Sequence, residues 1–397
     1  MAAKARRNLV IGQSGGATAV INASLVGAVE VARASGRFYE MYGMHYGIEG
    51  LLKEDIVDLR RQPAALWSQL REMPAAALGS CRYKLGDEGA ERALSIFERY
   101  NIHDMLYLGG NDSANTAHHM AQVAERQGYD LRVISVPKTI DNDLPYTDHC
   151  PGYGTAARFF ALATMYSTMN MLALPDEYPV KAIETMGRDA GWLAAASALG
   201  KREELDPPHL LLLPEQSFKE DTFLAQVESI YRRQGHVIIV SSEALHDEKG
   251  QAIGTVAEKD AFGHGAVSGA AEHLAELVKK KLNLRANFEK YGDLQWSEVS
   301  RTDRDEAYRT GEAAVRMLLA GETDRMVTLV REQGPEYHCT TGSVEIAKVA
   351  DQQRLLPDEF LNTDKTMVTQ SFHDYAIPLI GSPLPSYSRM EMIKPRI

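Results

Sequence analysis

Immediately after the apolar run Leu131–Val136 stand Pro137-Lys138-Thr139-Ile140-Asp141-Asn142-Asp143, so two carboxylates, a hydroxyl, an amide and an ammonium leave one candidate strand together. Burying isolated charges for packing alone is heavily disfavoured, and this mixture suits proton transfer beside a bound anion. A polar turn with an aspartate cap would account for Asp141-Asn142-Asp143 taken alone. Three other stretches shift that balance. Gln13-Ser14-Gly15-Gly16 and Gly109-Gly110-Asn111-Asp112-Ser113 are glycine pairs that each feed a candidate helix, and Gly79-Ser80-Cys81-Arg82-Tyr83-Lys84 sets two cations around an aromatic ring after a glycine.

Each stretch also has a plainer reading: a tight turn, an aspartate or serine N-cap, a solvated loop. In open α/β sheets, however, ligands bind outside the carboxyl ends of strands, and all four loaded stretches fall at such ends. Paired glycines let backbone N–H groups approach an anion at the N-terminus of the following helix. Arg82 and Lys84 could grip a phosphate, and Asp112 would sit where a metal-bound phosphate lies. The Gly15-Gly16 loop follows neither the P-loop pattern nor G-x-G-x-x-G. Jointly the stretches describe phosphoryl transfer, a chemistry that depends on positioning and charge neutralisation.

With Glu184-Thr185-Met186-Gly187-Arg188-Asp189-Ala190-Gly191-Trp192 and Ser242-Glu243 added, the pattern resembles the phosphofructokinase family, specifically its pyrophosphate-dependent branch, nearly end to end. The resemblance implies two similar Rossmann-like three-layer αβα domains with mostly parallel sheets, facing each other across a cleft. Residues 1–150 plus about 293–318 would form the donor domain, and 151–292 plus about 319–397 the acceptor domain. It implies that Asp141 is the general base, that Thr139 and Asp143 align the acceptor and a metal-bound phosphate, and that Arg188 stabilises the transferring phosphoryl group. The donor would lie on Gly15, Gly16, Arg82, Lys84, Gly110, Asp112, Ser113 and Lys138, with Mg²⁺ held at Asn111 and Asp112. The acceptor would meet Met186, Gly187, Arg188 and Glu243. Asp112 and Lys138 replace residues that are commonly glycine in ATP-using members. A carboxylate at that turn repels a nucleotide's inner phosphate, whereas the ammonium suits the outer phosphate of pyrophosphate.

The acceptor side departs from the family pattern. Pro179 stands where a cation is usual, although Lys181 is close by. The segment Tyr291-Gly292-Asp293-Leu294-Gln295-Trp296-Ser297 carries Trp296 in place of the Arg that grips a sugar 6-phosphate, and Asp293 where His or Tyr is usual. Lost charge-assisted contacts are worth about 1.5–3 kcal/mol each; Arg285 and Arg301 are candidate substitutes. Fructose 6-phosphate is the default acceptor. These departures also admit a different acceptor, another sugar phosphate or, on a Trp face beside Asp293 and Glu243, an uncharged sugar, polyol or nucleoside, and Trp296 as a simple core residue remains a further reading. A catalytically dead paralogue is permitted by Asn111, a neutral residue where the family has an Asp, and opposed by intact Thr139-Ile140-Asp141-Asn142-Asp143 and Arg188.

Alternating short β-rich runs and helical patterns position these residues. Strands are expected at Asn8–Ile11, Phe38–Tyr42, His103–Leu108, Leu131–Val136, Val180–Thr185, Leu210–Leu213 and Val237–Val240. Helices are expected at Ala19–Arg33, Ser113–Gln127, Thr155–Leu174, Asp189–Leu199, Ala270–Leu282 and Arg304–Leu319. A hairpin-like stretch, a helix near Pro357–Phe360 and a Pro-rich tail from Pro378 close the chain. The 397 residues exceed a single-core ceiling of about 250–300, so two domains are expected. A net charge of −11 argues against nucleic acid or an anionic membrane as partner. The basic N-terminus leads straight into a short strand and lacks a signal-peptide pattern. Three widely spaced cysteines (Cys81, Cys150, Cys339) match neither a disulfide framework nor a zinc site. A cytoplasmic enzyme follows as the expectation, and the resemblance adds a homodimer or homotetramer.

Overall fold

Apolar runs buried on both faces favour parallel pairing, and two sheets are built from them. A computed structural model describes residues 7–259 and 265–388, with positions 390 and 393. The first sheet has seven strands in the spatial order Cys339–Glu345, Arg325–Arg331, Arg132–Pro137, Ile102–Gly109, Arg7–Gln13, Phe38–Met44 and Ile56–Asp58. Only its two edge pairings are antiparallel. The second has four parallel strands, Ala286–Lys290, Val180–Thr185, Val237–Ser242 and Leu210–Leu212.

Alternation along each strand divides its side chains between two cores. In the first sheet Val10, Met105 and Val133 face one core, while Leu9, Ile11, Leu106, Ile134 and Val136 face the other. Ile183, Ile238 and Val240 are set against Val180, Ala182, Val237 and Ile239 in the same way. Helix Ile21–Ser35 packs on helix Arg301–Ala320 at backbone contact, since a Cβ on Gly27 would lie 2.1 Å from the Tyr308 carbonyl oxygen and one on Gly311 1.9 Å from that of Ser24.

Most expected elements form within a few residues of their anticipated ends. Three differences matter here. Residues 325–345 hydrogen-bond into the first sheet, with Arg325 and Met326 paired to Ile134 and Ser135, whereas everything from about 319 onward was expected with the second domain. The physical reason is that the hairpin-like stretch covers an otherwise open edge at Arg132–Pro137. The helix expected over Asp189–Leu199 begins only at Trp192 and tightens into a 3-10 turn at Ser197–Gly200. The residues before it remain a loop, tied down where Gly191 N–H donates to Glu215 Oε1 at 2.8 Å. Amphipathic helices Asp87–Arg99 and Glu220–Gln234 had no motif to announce them. Among the described residues no helix is long and apolar enough to cross a membrane.

Candidate active site

The strand Arg7–Gln13 has Phe38–Met44 on one side and Ile102–Gly109 on the other, so the strand order reverses there. A crevice opens outside the carboxyl ends at such a reversal. Here it is a cleft of about 600 Å³ closed on its far side by loops of the second sheet.

One wall carries the glycine loops. Gly15 has φ of +79°, open to glycine at little cost, and a Cβ there would stand 3.1 Å from Lys138 Nζ. The ammonium donates to the Gly16 carbonyl at 2.5 Å, and Lys138 N–H donates to Gly109 O at 3.0 Å. Lys138 thus ties both glycine loops to the end of its own strand. Gly110 precedes helix Asn111–Arg126, whose first turn contains Asp112. Gly15, Gly16, Arg82, Gly110, Asp112 and Ser113 all line the cleft. Lys84 is exposed and lies outside that lining.

The floor is the loop after Pro137. Thr139 Oγ1 accepts from Asp141 N–H at 3.1 Å. Asn142 takes φ of +56°, a left-handed conformation that Asn tolerates better than most residues, and this turns the chain between the two aspartates. Burial raises the pKa of Asp141, and Asp143 and Glu243 raise it further against the pull of Arg188 and Lys138. Burial likewise raises Asp143, opposed by Thr139 and Arg354. Lys138 is lowered to about 8, mainly by burial, with Arg82 acting in the same direction. Asp141 Oδ1 is buried with no hydrogen-bond partner. A buried acceptor of that kind is costly unless something fills it.

The opposite wall presents Met186, Arg188, Glu243, Asp293 and Trp296. Gly187 lies just behind, its carbonyl accepting from Ser242 Oγ. Glu243 is pushed up to about 7 by burial, with Arg188 and Lys290 opposing. Trp296 Nε1 and Gln295 Oε1 are buried without partners, while Gln295 Nε2 donates to Met186 Sδ at 2.8 Å. Arg285 is not in the cleft. It is exposed, 3.9 Å from Glu177, beside a separate depression with Pro179. Lys181 is spent on Ser167 and Glu289, with its ammonium 2.7 Å from Glu289 Oε1.

A strap from the C-terminal part of the chain completes the cleft with Asp351 and Gln353, residues that sequence reasoning did not single out. Asn111 Oδ1 accepts from Asp351 N–H at 3.0 Å and its amide nitrogen donates to Gln352 O. Asn111 therefore anchors the strap with both ends of its amide. A polar run at 351–354 is the only trace of this in the sequence, and nothing local tells which loop it meets. Away from the cleft, His149, Glu306 and Cys339 cluster at metal-holding distances. Both His149 ring nitrogens are already hydrogen-bonded, to Asp148 at 2.8 Å and Glu306 at 2.6 Å. Burial would lower this imidazole, but the two carboxylates hold it up at about 9, so an imidazolium fills the place of a cation.

Carboxylates, cations and helix N-terminal amides converging at a strand-order reversal define an α/β protein built to handle phosphorylated ligands. Residues 8–318 match the phosphofructokinase family, and the chain belongs to that family. It is 37% identical over 394 residues, covering 96% of this chain and 94% of its relative, to the pyrophosphate–fructose 6-phosphate 1-phosphotransferase of Halomonas elongata. A sulfofructose kinase of Alkalicoccus urumqiensis is 32% identical, covering 90% of this chain and 92% of its own. The crystal structure of a pyrophosphate-dependent phosphofructokinase from Nitrosospira multiformis superposes with a TM-score of 0.87 at 36% identity, covering 96% of this chain and 94% of that one.

Proposed function

We propose that the cleft transfers a phosphoryl group from pyrophosphate to a hydroxyl of a sugar phosphate, with fructose 6-phosphate as the default acceptor and fructose 1,6-bisphosphate as product. The observation that carries this is the unpartnered, buried Oδ1 of Asp141. Its carboxylate feels both Arg188 and Lys138. Burial raises its pKa toward the working range of a general base, and the acceptor hydroxyl is the donor that this oxygen lacks. As the O–H proton passes to Asp141, the hydroxyl oxygen attacks the phosphorus and the bond to the leaving phosphate breaks. Arg188 neutralises charge on the moving group. Thr139 and Asp143 align acceptor and donor, and Glu243 receives sugar hydroxyls.

Pyrophosphate as donor is supported by Lys138, whose ammonium fills the Gly15 turn, and by Asp112 in the first turn of the following helix. The high identity to pyrophosphate-dependent relatives agrees. The oxygen donors Asp112 and Asp143, both lining the cleft, fit a hard divalent cation such as Mg²⁺, which leaves Asp141 Oδ1 to the acceptor hydroxyl. Asn111 contributes less than its place in the motif promises, because its amide holds the strap. When bound, Mg²⁺ would neutralise pyrophosphate oxygens. The first-sheet unit holds the donor in this reading and the second-sheet loops hold the acceptor, in a cytoplasmic homo-oligomer.

A second reading keeps the donor and changes the acceptor. It is favoured by Trp296 Nε1 and Gln295 Oε1, two unpartnered polar atoms on the acceptor side of the cleft, and by Arg285 lying elsewhere. The relative named for sulfofructose agrees with a variable acceptor wall. A panel of acceptors assayed with pyrophosphate and with ATP tests both. Efficient turnover of fructose 6-phosphate with pyrophosphate alone is the expected result. Turnover only of neutral or other acceptors would replace the first reading with the second, and preference for ATP would sink the donor assignment.

A further inference from the structure

The loop between Asp141 and Asp148 has few ties of its own strand's making. Past Pro137 the strand has ended, Asn142 is left-handed, and Tyr146 is left-handed as well at φ of +63°. Such a loop keeps two buried aspartates in place only if something else satisfies its carbonyls. One side chain does most of that. Arg354 donates through Nη1 to Thr147 O at 2.7 Å and Asp148 O at 2.6 Å, and through Nη2 and Nε to Asn142 O at 2.9 and 3.2 Å. Its own backbone N–H donates to Asp143 O at 2.7 Å.

The guanidinium is itself pinned. Its carbon sits 4.6 Å from the centroid of the Trp192 ring, and the indole Nε1 donates back to Arg354 O at 3.1 Å. Trp192 opens the helix that follows Met186-Gly187-Arg188, so one residue joins the base-bearing loop of the first sheet to the Arg188 loop of the second. Tyr375 works from the other side, its hydroxyl accepting from Asn142 Nδ2 at 2.9 Å and donating to Asp148 O at 2.8 Å. Both residues lie beyond the family-matched stretch 8–318.

We propose that Arg354, assisted by Tyr375, is a positioning residue for phosphoryl transfer: it fixes the spacing between the Asp141 base and Arg188 without touching either substrate. The planar fork reaches three carbonyls at once, a geometry that an ammonium cannot copy. The inference rests on the proposed role of Asp141, so Asp141→Asn is measured alongside it.

The experiment is steady-state kinetics with pyrophosphate and fructose 6-phosphate, or the best acceptor of the panel, on Arg354→Ala, Arg354→Lys and Tyr375→Phe. A misplacement of about 1 Å costs on the order of a hundredfold in rate, so Arg354→Ala should lose about that factor in kcat with each KM within about threefold. Arg354→Lys should lose kcat as well, and millimolar guanidinium should rescue the alanine variant but not the lysine one. Should the alanine variant fail to fold, Tyr375→Phe, which removes a single oxygen, still has to lower kcat by about fivefold with KM kept. Near-wild-type kcat in Arg354→Lys and Tyr375→Phe would overturn the proposal, and so would a loss that appears only in KM. If Asp141→Asn retains turnover while the Arg354 variants lose it, the proposed base falls and the clamp stands.

Discussion

The two walls of the cleft are held by different kinds of structure. The donor wall is made of backbone: glycine loops that leave adjacent parallel strands, a helix N-terminus, and a lysine that joins them through the carbonyl of Gly16. The acceptor wall is made of side chains from separate stretches, Met186 and Arg188, Glu243, Asp293 and Trp296. A backbone cradle can change little without refolding the strands beneath it. A side-chain wall can change its ligand by one substitution. The difference fits the reading in which the donor loops keep the motifs of the resemblance, Asn111 excepted, while the acceptor wall departs from them at Asp293 and Trp296.

The largest effect should come from the loop that both walls share. Asp141→Asn removes the proposed base while conserving shape, and general-base catalysis contributes about 10²–10⁴ in rate. We expect kcat to fall by about 10³, with pyrophosphate affinity in calorimetric titration changed by less than threefold. Retained turnover would mean that proton removal belongs to another group in the cleft.

On the proposed donor wall, Lys138→Met deletes a buried cation from the cleft. Loss of a charge-assisted contact worth about 1.5–3 kcal/mol corresponds to a drop of about 10- to 100-fold in kcat/KM for pyrophosphate, with the acceptor's KM little changed. An equal loss for both substrates would show that Lys138 holds the whole cleft together and not the donor side alone.

The same lysine sets a pH signature. Its folded pKa is depressed to about 8, chiefly by burial, so the ammonium is present below that value and lost as pH rises through it. On the other side, burial raises Asp141 to about 8 and Glu243 to about 7, so the base ionises only as pH climbs to about 8. The kcat/KM for pyrophosphate should therefore be a narrow bell in the free enzyme, centred near pH 8, where Asp141 loses its proton and Lys138 begins to lose its own. A profile flat to pH 9.5 would remove Lys138 from the donor site.

How much of this could be seen in the chain alone divides along the same line as the two walls. Gly15-Gly16, Gly109-Gly110 and Pro137–Asp143 are local: a strand, a turn and a helix start are written in consecutive residues, and parallel pairing brings the loops together. The strap is different. Arg354 reaches the loop at 142–148, more than two hundred residues upstream, while Asp351 meets Asn111 and Gln353 meets Asp189; the edge pairing of 325–345 to Arg132–Pro137 brings the strap to them. Arg285 shows the converse error. It has the right charge and a plausible place in the sequence, but it stands just before strand Ala286–Lys290, at the end opposite the cleft, and lies on a separate surface. Asn111 was legible as a residue of the glycine loop, yet its bonds to the backbone of 351–352 were not.

The smallest effect is also the one that best probes the acceptor wall. Trp296 lines the cleft beside Asp293, and its indole N–H has no partner. Trp296→Arg would put a fork of donors where a sugar phosphate ends, at the cost of an aromatic face. If the acceptor carries a phosphate, the new contact outweighs the lost face, because a single charge-assisted hydrogen bond is worth at least about 1.4 kcal/mol, roughly tenfold. The KM for fructose 6-phosphate should then fall by up to about tenfold while kcat moves less, since in the proposed pose the reacting oxygen is at the far end of the sugar beside Asp141. Asp293 limits the gain by pairing with part of the new charge, so Asp293→Asn added to the same chain should enlarge it. A neutral acceptor gives the opposite sign: it loses its ring platform and gains nothing from the charge, so its KM rises. The direction of one KM therefore separates the two acceptor readings without a bound structure.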